Sequence, residues 1–158
     1  MKQVRLPMEE LMPLLQMQMD TAGFANLMVT GWSMQPMVFN RRDSVVIQPA
    51  TGTEGAGDVI LYQRENGRYV LHRILRKCRK GLVLCGDNQF FTERIARHQV
   101  LAVVTGFTRN GKKYQVTDKG YKTYVFWWVA LHPVRWMYLV PRRILGKLKM
   151  AIQRKRRS

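Results

Sequence analysis

Apolar residues near the start of the chain recur with a helical period. Leu11, Leu14, Leu15 and Met19 have spacings that place them on one face of a short amphipathic helix. The same stretch holds no long apolar run, so a secretory signal peptide is not predicted there. Residues 24–30 follow as a short strand or extended segment.

The body of the chain alternates short apolar stretches with turn residues, which predicts antiparallel β-structure. The Asn-Gly pairs at 66–67 and 110–111 are the strongest hairpin signals, and Lys80-Gly81 marks another turn. A loop with glycine, threonine and proline covers residues 49–57. We therefore predict a mainly β fold of short antiparallel strands. The predicted strands cover residues 44–48, 58–63, 68–75, 82–85, 100–108 and 113–116.

The pattern changes again after residue 121. Residues 124–131 are all apolar and include two adjacent tryptophans, and Pro133 and Arg135 interrupt the apolar stretch beyond them. Residues 124–140 number 17, at the lower edge of the about 17–25 that span a bilayer. Aromatic side chains beside basic ones suit a helix in the membrane interface better than one that spans the bilayer. We predict an amphipathic or membrane-associated C-terminal helix; a helix packed on its own domain is the other interpretation.

Charge divides the chain near the same place. The net charge is +17, yet residues 1–108 hold 13 basic and 9 acidic side chains, whereas residues 109–158 hold 14 and 1. We predict a globular domain over residues 1–120 and a basic, aromatic segment over residues 121–158. Such a segment binds nucleic acid or anionic lipid. The tryptophans favour an anionic membrane surface, contacted by residues 124–157, over nucleic acid.

The two cysteines give little guidance to function. Cys78 and Cys85 lack the spacing of a zinc site and are too few for a disulfide framework. Cys85 lies in an apolar strand and is predicted to be a small buried residue. Neither a metal ion nor an organic cofactor is predicted.

Ser33 is the first candidate for chemistry and lies in the segment GWSMQP at residues 31–36. A serine after a small flexible residue at a strand end can project its hydroxyl from a tight turn. Gly31 lets the main chain approach a substrate, and the Ser33 N–H can help to stabilise an oxyanion. A serine that only forms part of a turn is the other interpretation.

His72 is the second candidate, in a predicted strand that turns Val70, His72 and Ile74 to one face. Apolar neighbours favour the neutral imidazole, which can accept a proton. A serine nucleophile needs such a base within reach, and often a third group that orients the base. Asp87 can be this group, or can cap main-chain amides of the turn at residues 86–88. A buried structural histidine is the other interpretation of His72.

Four short sequence blocks follow one another along the chain: GWSMQP at 31–36, GDVI at 57–60, HRI at 72–74 and GDN at 86–88. They occur in the order of the type I signal peptidase family, whose clan includes the LexA-type self-cleaving repressors. Together they resemble that family much more specifically than any one block, over roughly residues 28–108. The resemblance implies the β-fold that signal peptidases and LexA share.

The resemblance implies a role for each matching residue. Ser33 corresponds to the nucleophile, and His72 stands where most bacterial signal peptidases carry a lysine base. Histidine there is similar to the endoplasmic-reticulum and archaeal subtype, also found in some Gram-positive bacteria. Asp87 corresponds to the aspartate of the Gly-Asp-Asn box and is the implied third catalytic residue. Substrate or oxyanion positions fall on Gly31, Trp32 and Met34, and structural motif positions on Pro36, Asp58, Arg73 and Gly86.

The chain departs from the family pattern in three ways. The histidine subtype usually carries another aspartate soon after the Gly-Asp-Asn box; here an orienting role falls to Asp87 first and Glu93 second. Some members have a serine two residues before the nucleophile, where this chain has Gly31, so oxyanion assistance falls to the main chain or Thr30. Signal peptidases usually carry an N-terminal transmembrane helix, whereas this chain has the aromatic and basic C-terminal segment.

These observations predict a serine endopeptidase that cleaves secretory or other precursor peptides through a Ser–His acyl-enzyme mechanism. The resemblance implies a substrate bound as an extended strand, with small residues on the acyl side of the cut. We expect association with a membrane, the bacterial plasma membrane, on a side that depends on whether residues 124–140 span it or lie in its interface. Two other interpretations stay open: a DNA-associated regulator of the self-cleaving repressor clan, and an inactive binding domain of the same fold.

Overall fold

A computed structural model describes residues 6–134 and Met137. Helix α1 (Met8–Ala22) opens the fold, and helix α2 (Lys119–Ala130) follows the last strand. A short 3-10 helix (Arg97–Gln99) precedes the seventh strand. The strands are β1 (Ala25–Met28), β2 (Ser44–Pro49), β3 (Val59–Gln63), β4 (Tyr69–Cys78), β5 (Gly81–Cys85), β6 (Glu93–Ile95), β7 (Val100–Arg109) and β8 (Lys112–Gln115).

These strands form one antiparallel sheet. Its order is β1-β2-β7-β3-β4-β5-β6, and β8 pairs with β7. Hairpins join β3 to β4 and β7 to β8, where the two Asn-Gly signals predict them. The prediction of a mainly β fold is therefore confirmed, with a short N-terminal helix and a small C-terminal helix. The three-residue strand β6 is an addition that the sequence pattern does not predict.

The central strand β3 is buried on both faces. Val59 and Leu61 belong to one apolar cluster, whereas Ile60 and Tyr62 belong to another. The first cluster packs the sheet against α1, and the second joins residues of β3, β4, β5 and β6. Because side chains of a strand alternate between faces, neighbouring residues of β4 meet two different environments.

Helix α1 has the amphipathic character that the sequence predicts. Leu15 and Met19 are buried against the sheet together with Met12. The spacing predicts Leu14 on the same face, but Leu14 is 49 % exposed, because it lies about 100° around the helix from Leu15. Gly23 then ends the helix in a left-handed conformation, with its N–H bonded to the Met19 carbonyl over 2.8 Å.

Helix α2 packs on the sheet through one face and exposes the other. Tyr121 and Tyr124 contact the first apolar cluster, whereas Phe126 and Trp127 are 64 % and 55 % exposed. The predicted domain boundary between residues 120 and 121 therefore falls inside this helix. Among the described residues, no helix has the length and apolar character that a membrane crossing requires. Residues 135, 136 and 138–158, with most of the predicted basic segment, lie outside the described residues.

The two cysteines lie at opposite ends of the β4–β5 hairpin and form no disulfide with each other. Cys78 pairs with Gly81 in the sheet, and Cys85 pairs with Arg73. Cys85 is 2 % exposed, so its prediction as a small buried residue is confirmed.

Candidate active site

Strand β4 turns two neighbouring polar residues to opposite faces of the sheet. His72 is 3 % exposed and Arg73 is fully buried. His72 stands opposite Ile60 of β3, so its side chain lies on the face of the second apolar cluster. Val70 and Ile74 contact the same cluster, in agreement with the alternation that the sequence predicts.

The His72 side chain contacts Tyr62 and Glu93, and these three residues together with Arg64 form a group that we name the imidazole cluster. His72 Nδ1 is 2.9 Å from Glu93 Oε1 and 3.1 Å from the Tyr62 hydroxyl. The Tyr62 hydroxyl donates a short hydrogen bond to the same Oε1. Arg64 donates from Nη2 to Oε1 over 2.7 Å and from Nε to Oε2 over 2.8 Å. A single carboxylate thus binds the arginine, the tyrosine and the histidine.

These contacts determine which ring nitrogen of His72 carries the proton. Tyr62 has one hydroxyl proton, which it donates to Glu93. Burial and the contact with Glu93 raise the pKa of Tyr62, so the hydroxyl keeps that proton. Nδ1 therefore faces two acceptor oxygens, which favours the tautomer that carries the proton on Nδ1. The lone pair of the neutral ring then lies on Nε2.

The protonation states of His72 and Glu93 suit a general base. Burial lowers the pKa of His72, and the charge of Glu93 opposes this only in part. Burial acts to raise the pKa of Glu93, but hydrogen bonds from Arg64 and Tyr62 outweigh it and leave the pKa below its ordinary value. At neutral pH the pair is a neutral imidazole beside an ionised carboxylate, which is the combination that proton abstraction requires.

Ser33 lies in an irregular turn between β1 and β2 that is held against the end of β5. Its carbonyl accepts the Asn88 N–H over 2.7 Å, and Asn88 Nδ2 donates to the Trp32 carbonyl over 3.2 Å. A Cβ at Gly86 would lie 2.7 Å from the Ser33 carbonyl oxygen and 3.0 Å from Ser33 Cβ. Only glycine permits this approach, so the Gly-Asp-Asn segment supports the serine turn through its main chain.

The register of β4 and β5 relates Ser33 to His72. Arg73 pairs with Cys85 in this antiparallel ladder, so extending the register by one residue sets Gly86 opposite His72. Directly opposed residues point to the same face, with Cβ atoms about 4.5–5.5 Å apart. Because the Cβ direction of Gly86 points at Ser33, the serine lies over the strand position next to the imidazole.

Ser33 and His72 are neighbours without a direct hydrogen bond between them. Within residues 6–134, the Ser33 hydroxyl, the Ser33 N–H and His72 Nε2 have no hydrogen-bond partner. Hydrogen bonds between a nucleophile and its base are often long before substrate binds and tighten in the complex. Among the described residues, the hydrogen-bonding capacity of these three groups is thus unused, with Ser33 partly exposed and His72 3 % exposed.

On the opposite face of β4, Arg73 and Asp87 form a buried ion pair. Their side chains are 0 % and 1 % exposed, and two hydrogen bonds of 2.8 and 2.6 Å join them. Burial acts to lower the pKa of Arg73, but the charge and hydrogen bonds of Asp87 outweigh it and raise the pKa. The arginine therefore stays charged in the interior.

Helix α2 completes the surroundings of this ion pair. Arg73 Nη1 donates to the Tyr121 hydroxyl over 3.0 Å and to the Gly57 carbonyl over 2.7 Å. The Tyr124 hydroxyl donates to Asp87 Oδ2 over 2.9 Å. The helix is thus attached to the segment that supports Ser33.

The two candidate orienting carboxylates have different partners. Glu93 contacts His72 Nδ1, whereas both carboxylate oxygens of Asp87 accept hydrogen bonds from Arg73. Asp87 still acts on His72 through its charge, which raises the pKa of the imidazole. The geometry therefore favours Glu93 as the group that orients His72, and Asp87 as the group that fixes residues 86–88.

The other predicted site residues lie in the serine turn or in the turn before β3. Trp32 is 63 % exposed next to Ser33, whereas Met34 is 2 % exposed and belongs to the first apolar cluster. Gly31 has a φ of 100°, and its N–H donates to Asn40 Oδ1 over 3.0 Å. Pro36 is exposed within the same turn, and Asp58 accepts the Gly55 N–H over 2.9 Å in the turn before β3.

Sequence reasoning missed Tyr62 and Arg64, and ranked Glu93 second. A signal for the first two exists, because Ile60, Tyr62 and Arg64 alternate along β3 and the hairpin at 64–68 turns that face toward His72. Glu93 carries no comparable signal. An irregular segment separates it from β5, and three residues are too few to show a strand period.

Compared with models of protein families, with curated proteins and with solved structures, the chain matches none. Among the residues that the structure describes, no group of histidine, cysteine, aspartate and glutamate side chains could hold a metal ion.

Proposed function

We propose that this chain is a serine endopeptidase in which Ser33 is the nucleophile, His72 is the general base and Glu93 orients the base. The observation that supports the proposal most is that a Cβ at Gly86 would contact Ser33, while the extended register places Gly86 opposite His72. Glu93 Oε1 lies 2.9 Å from His72 Nδ1, which leaves Nε2 as the nitrogen for proton transfer. The four sequence blocks support membership of the type I signal peptidase family, in its serine–histidine subtype.

The reaction uses these groups in two steps. Ser33 Oγ attacks the carbonyl carbon of the scissile peptide while its proton passes to His72 Nε2. Glu93, 2.9 Å from Nδ1, stabilises the imidazolium that forms. His72 then protonates the leaving amine, the C–N bond breaks, and an ester remains on Ser33. Water deprotonated by His72 hydrolyses this ester and restores the serine hydroxyl.

The main chain around Ser33 supplies the oxyanion donor in this proposal. The Ser33 N–H has no partner within the described residues, whereas the Gly31 N–H is engaged by Asn40. A donor fixed beside the nucleophile stabilises the negative charge that develops on the carbonyl oxygen. The hydrogen bond from Asn88 to the Ser33 carbonyl holds this peptide segment in place.

The substrate in this proposal is a precursor peptide bound as an extended strand, with a small residue on the acyl side of the cut. The proposed location is a membrane surface. Its support is the exposed face of α2, which carries Phe126 and Trp127. Many basic residues follow this helix in the sequence. Apolar aromatic residues beside basic ones bind anionic lipid surfaces.

The test is cleavage of a defined library of unstructured peptides, read by mass spectrometry. Wild-type protein should cut next to small residues, and Ser33→Ala and His72→Gln should each lose at least about 1,000-fold in rate. Glu93→Gln should lose about 100- to 10,000-fold, because an amide no longer stabilises the imidazolium. Ser44→Ala in β2 and His98→Gln in the exposed 3-10 helix are matched controls that should keep wild-type rates.

Two results would sink the proposal. One is cleavage by Ser33→Ala or His72→Gln at the wild-type rate. The other is a wild-type protein that cuts no peptide but binds DNA in a salt-sensitive way without binding anionic vesicles, which the self-cleaving repressor interpretation predicts.

A further inference from the structure

Arg64 is a charged residue of the imidazole cluster that no sequence motif assigns. It follows β3, and its side chain is 36 % exposed. Both of its hydrogen bonds to Glu93 are short, at 2.7 and 2.8 Å, and they engage both carboxylate oxygens. A guanidinium in this paired geometry fixes the orientation of a carboxylate as well as its charge.

The orientation of Glu93 matters because its Oε1 is shared. Tyr62, Arg64 and His72 all approach this single oxygen. Without the guanidinium, Glu93 can rotate or take up a proton, and the Tyr62 hydroxyl is released to donate to His72 Nδ1. The ring proton then moves to Nε2, and that nitrogen can no longer accept the proton of a nucleophile.

We propose that Arg64 is a positioning residue that keeps Glu93 ionised and oriented, and through it holds His72 in the tautomer with the proton on Nδ1. This inference rests on the proposed function for its importance to catalysis. Arg64 does not touch the imidazole itself. It acts through Glu93, which contacts both Arg64 and His72.

Charged groups on several elements act on His72, and their signs fix the expected effect of removing Arg64. Burial lowers the pKa of His72, Arg64 lowers it further, and Glu93 and Asp87 raise it. With a neutral residue at position 64, the pKa of His72 is expected to rise at any pH where Glu93 stays ionised, because an opposing positive charge is lost. The acid limb of a pH–rate profile then moves to higher pH.

The experiment measures the His72 ring directly in the full chain. Uniformly nitrogen-15-labelled protein is titrated with pH and followed by two-dimensional NMR that correlates the carbon-bound imidazole protons with both ring nitrogens. The signal that is lost in His72→Gln belongs to His72. Wild-type protein should show the Nδ1–H tautomer. Arg64→Met and Arg64→Gln should show signal of the Nε2–H tautomer or a higher titration midpoint. Arg76→Met, which removes an exposed arginine from β4, is the matched control.

Arg64→Lys separates charge from geometry. It keeps the positive charge but loses the paired hydrogen bonds, so its midpoint should stay near the wild-type value while the Nε2–H tautomer appears. A wild-type tautomer and midpoint in both Arg64→Met and Arg64→Gln would overturn the inference. Because the readout is the ring itself, it decides the role of Arg64 even if the peptide library shows no cleavage and the proposed function fails.

Discussion

Two carboxylate partnerships lie on the two faces of β4, and they differ in burial. Arg73 and Asp87 are 0 % and 1 % exposed and form a sealed ion pair. On the other face, Arg64 and Glu93 are 36 % and 26 % exposed and hold a buried imidazole between them and the second apolar cluster. One residue step along a strand thus separates a charge pair shielded from water from one that water can reach.

The difference indicates a division of tasks. A sealed ion pair resists any change of charge, since either partner left alone in the interior is very costly. It is suited to hold residues 86–88, and with them the Ser33 turn, in one geometry. The pair of Arg64 and Glu93 is partly exposed, so solvent screens its charges more than those of the sealed pair. It contacts His72, whose ring proton we propose that it controls. We therefore expect the sealed pair to fix the position of the serine turn, and the partly exposed pair to determine the protonation of His72.

Asp87→Ala breaks the sealed side and should have the largest effect on stability. It leaves Arg73 buried without its counter-charge, so we expect a loss of about 3–5 kcal/mol in the free energy of unfolding. Urea denaturation followed by circular dichroism measures it. Asp58→Ala, in an exposed turn, is the control and should lose about 1 kcal/mol or less. Equal losses of unfolding free energy in the two variants would contradict a special structural role for the buried ion pair.

Tyr124→Phe weakens the same side without exposing a charge. It removes the hydroxyl that donates to Asp87, and a hydrogen bond to a charged group contributes about 1.5–3 kcal/mol. The ring itself remains stacked on Trp128. Tyr114→Phe is the matched control, because Tyr114 also stacks on a neighbour, Phe107, and should change stability by less than about 0.5 kcal/mol. Denaturation of both variants side by side gives the answer.

A pH series probes the other side and should give the smallest effect. The pKa of His72 is lowered by burial from its usual 6.5, so below that pH the unfolded chain binds a proton that the folded chain does not. Stability is then full above about pH 6.5 and falls as the pH drops toward the folded pKa, by at most about 1.4 kcal/mol per pH unit.

Urea midpoints at about pH 7.5 and about pH 5.5 measure this effect. Wild-type protein should lose more stability between them than His72→Gln, which lacks the titrating group. His98→Gln, in the exposed 3-10 helix, should behave like the wild type. Identical pH dependence in wild-type and His72→Gln protein would show that the imidazole is not held neutral by its surroundings.

Local patterns in the sequence predict much of the fold. The Asn-Gly turns and the apolar runs around them predict both hairpins, because turn type and strand period are local properties. Strand β6 could not be predicted in this way, since its three residues are defined by pairing with Leu82, Val83 and Leu84. The sequence does not predict the inner face of α2 either. Its tyrosines differ from the exposed aromatic residues of the helix only by their contacts with Arg73 and Asp87.

The candidate site could be predicted in part. Motif order predicts Ser33 and His72 as site residues, and the strand period correctly gives the face of His72. The partner of the imidazole is a tertiary property. Asp87 and Glu93 are both acidic residues in the same stretch of sequence, and only the three-dimensional fold gives one to Arg73 and the other to His72.

The attachment of helix α2 to the ion pair also has a consequence in time. Tyr121 lies 48 residues beyond Arg73, so on a ribosome adding about 5–20 residues per second the helix emerges about 2–10 s after the arginine. Strands β5 to β8 are synthesised during that interval, so the sheet gains its last strands while the guanidinium is still incompletely covered. A nascent chain is therefore expected to complete the support of its serine turn last, after the synthesis of its β body has finished.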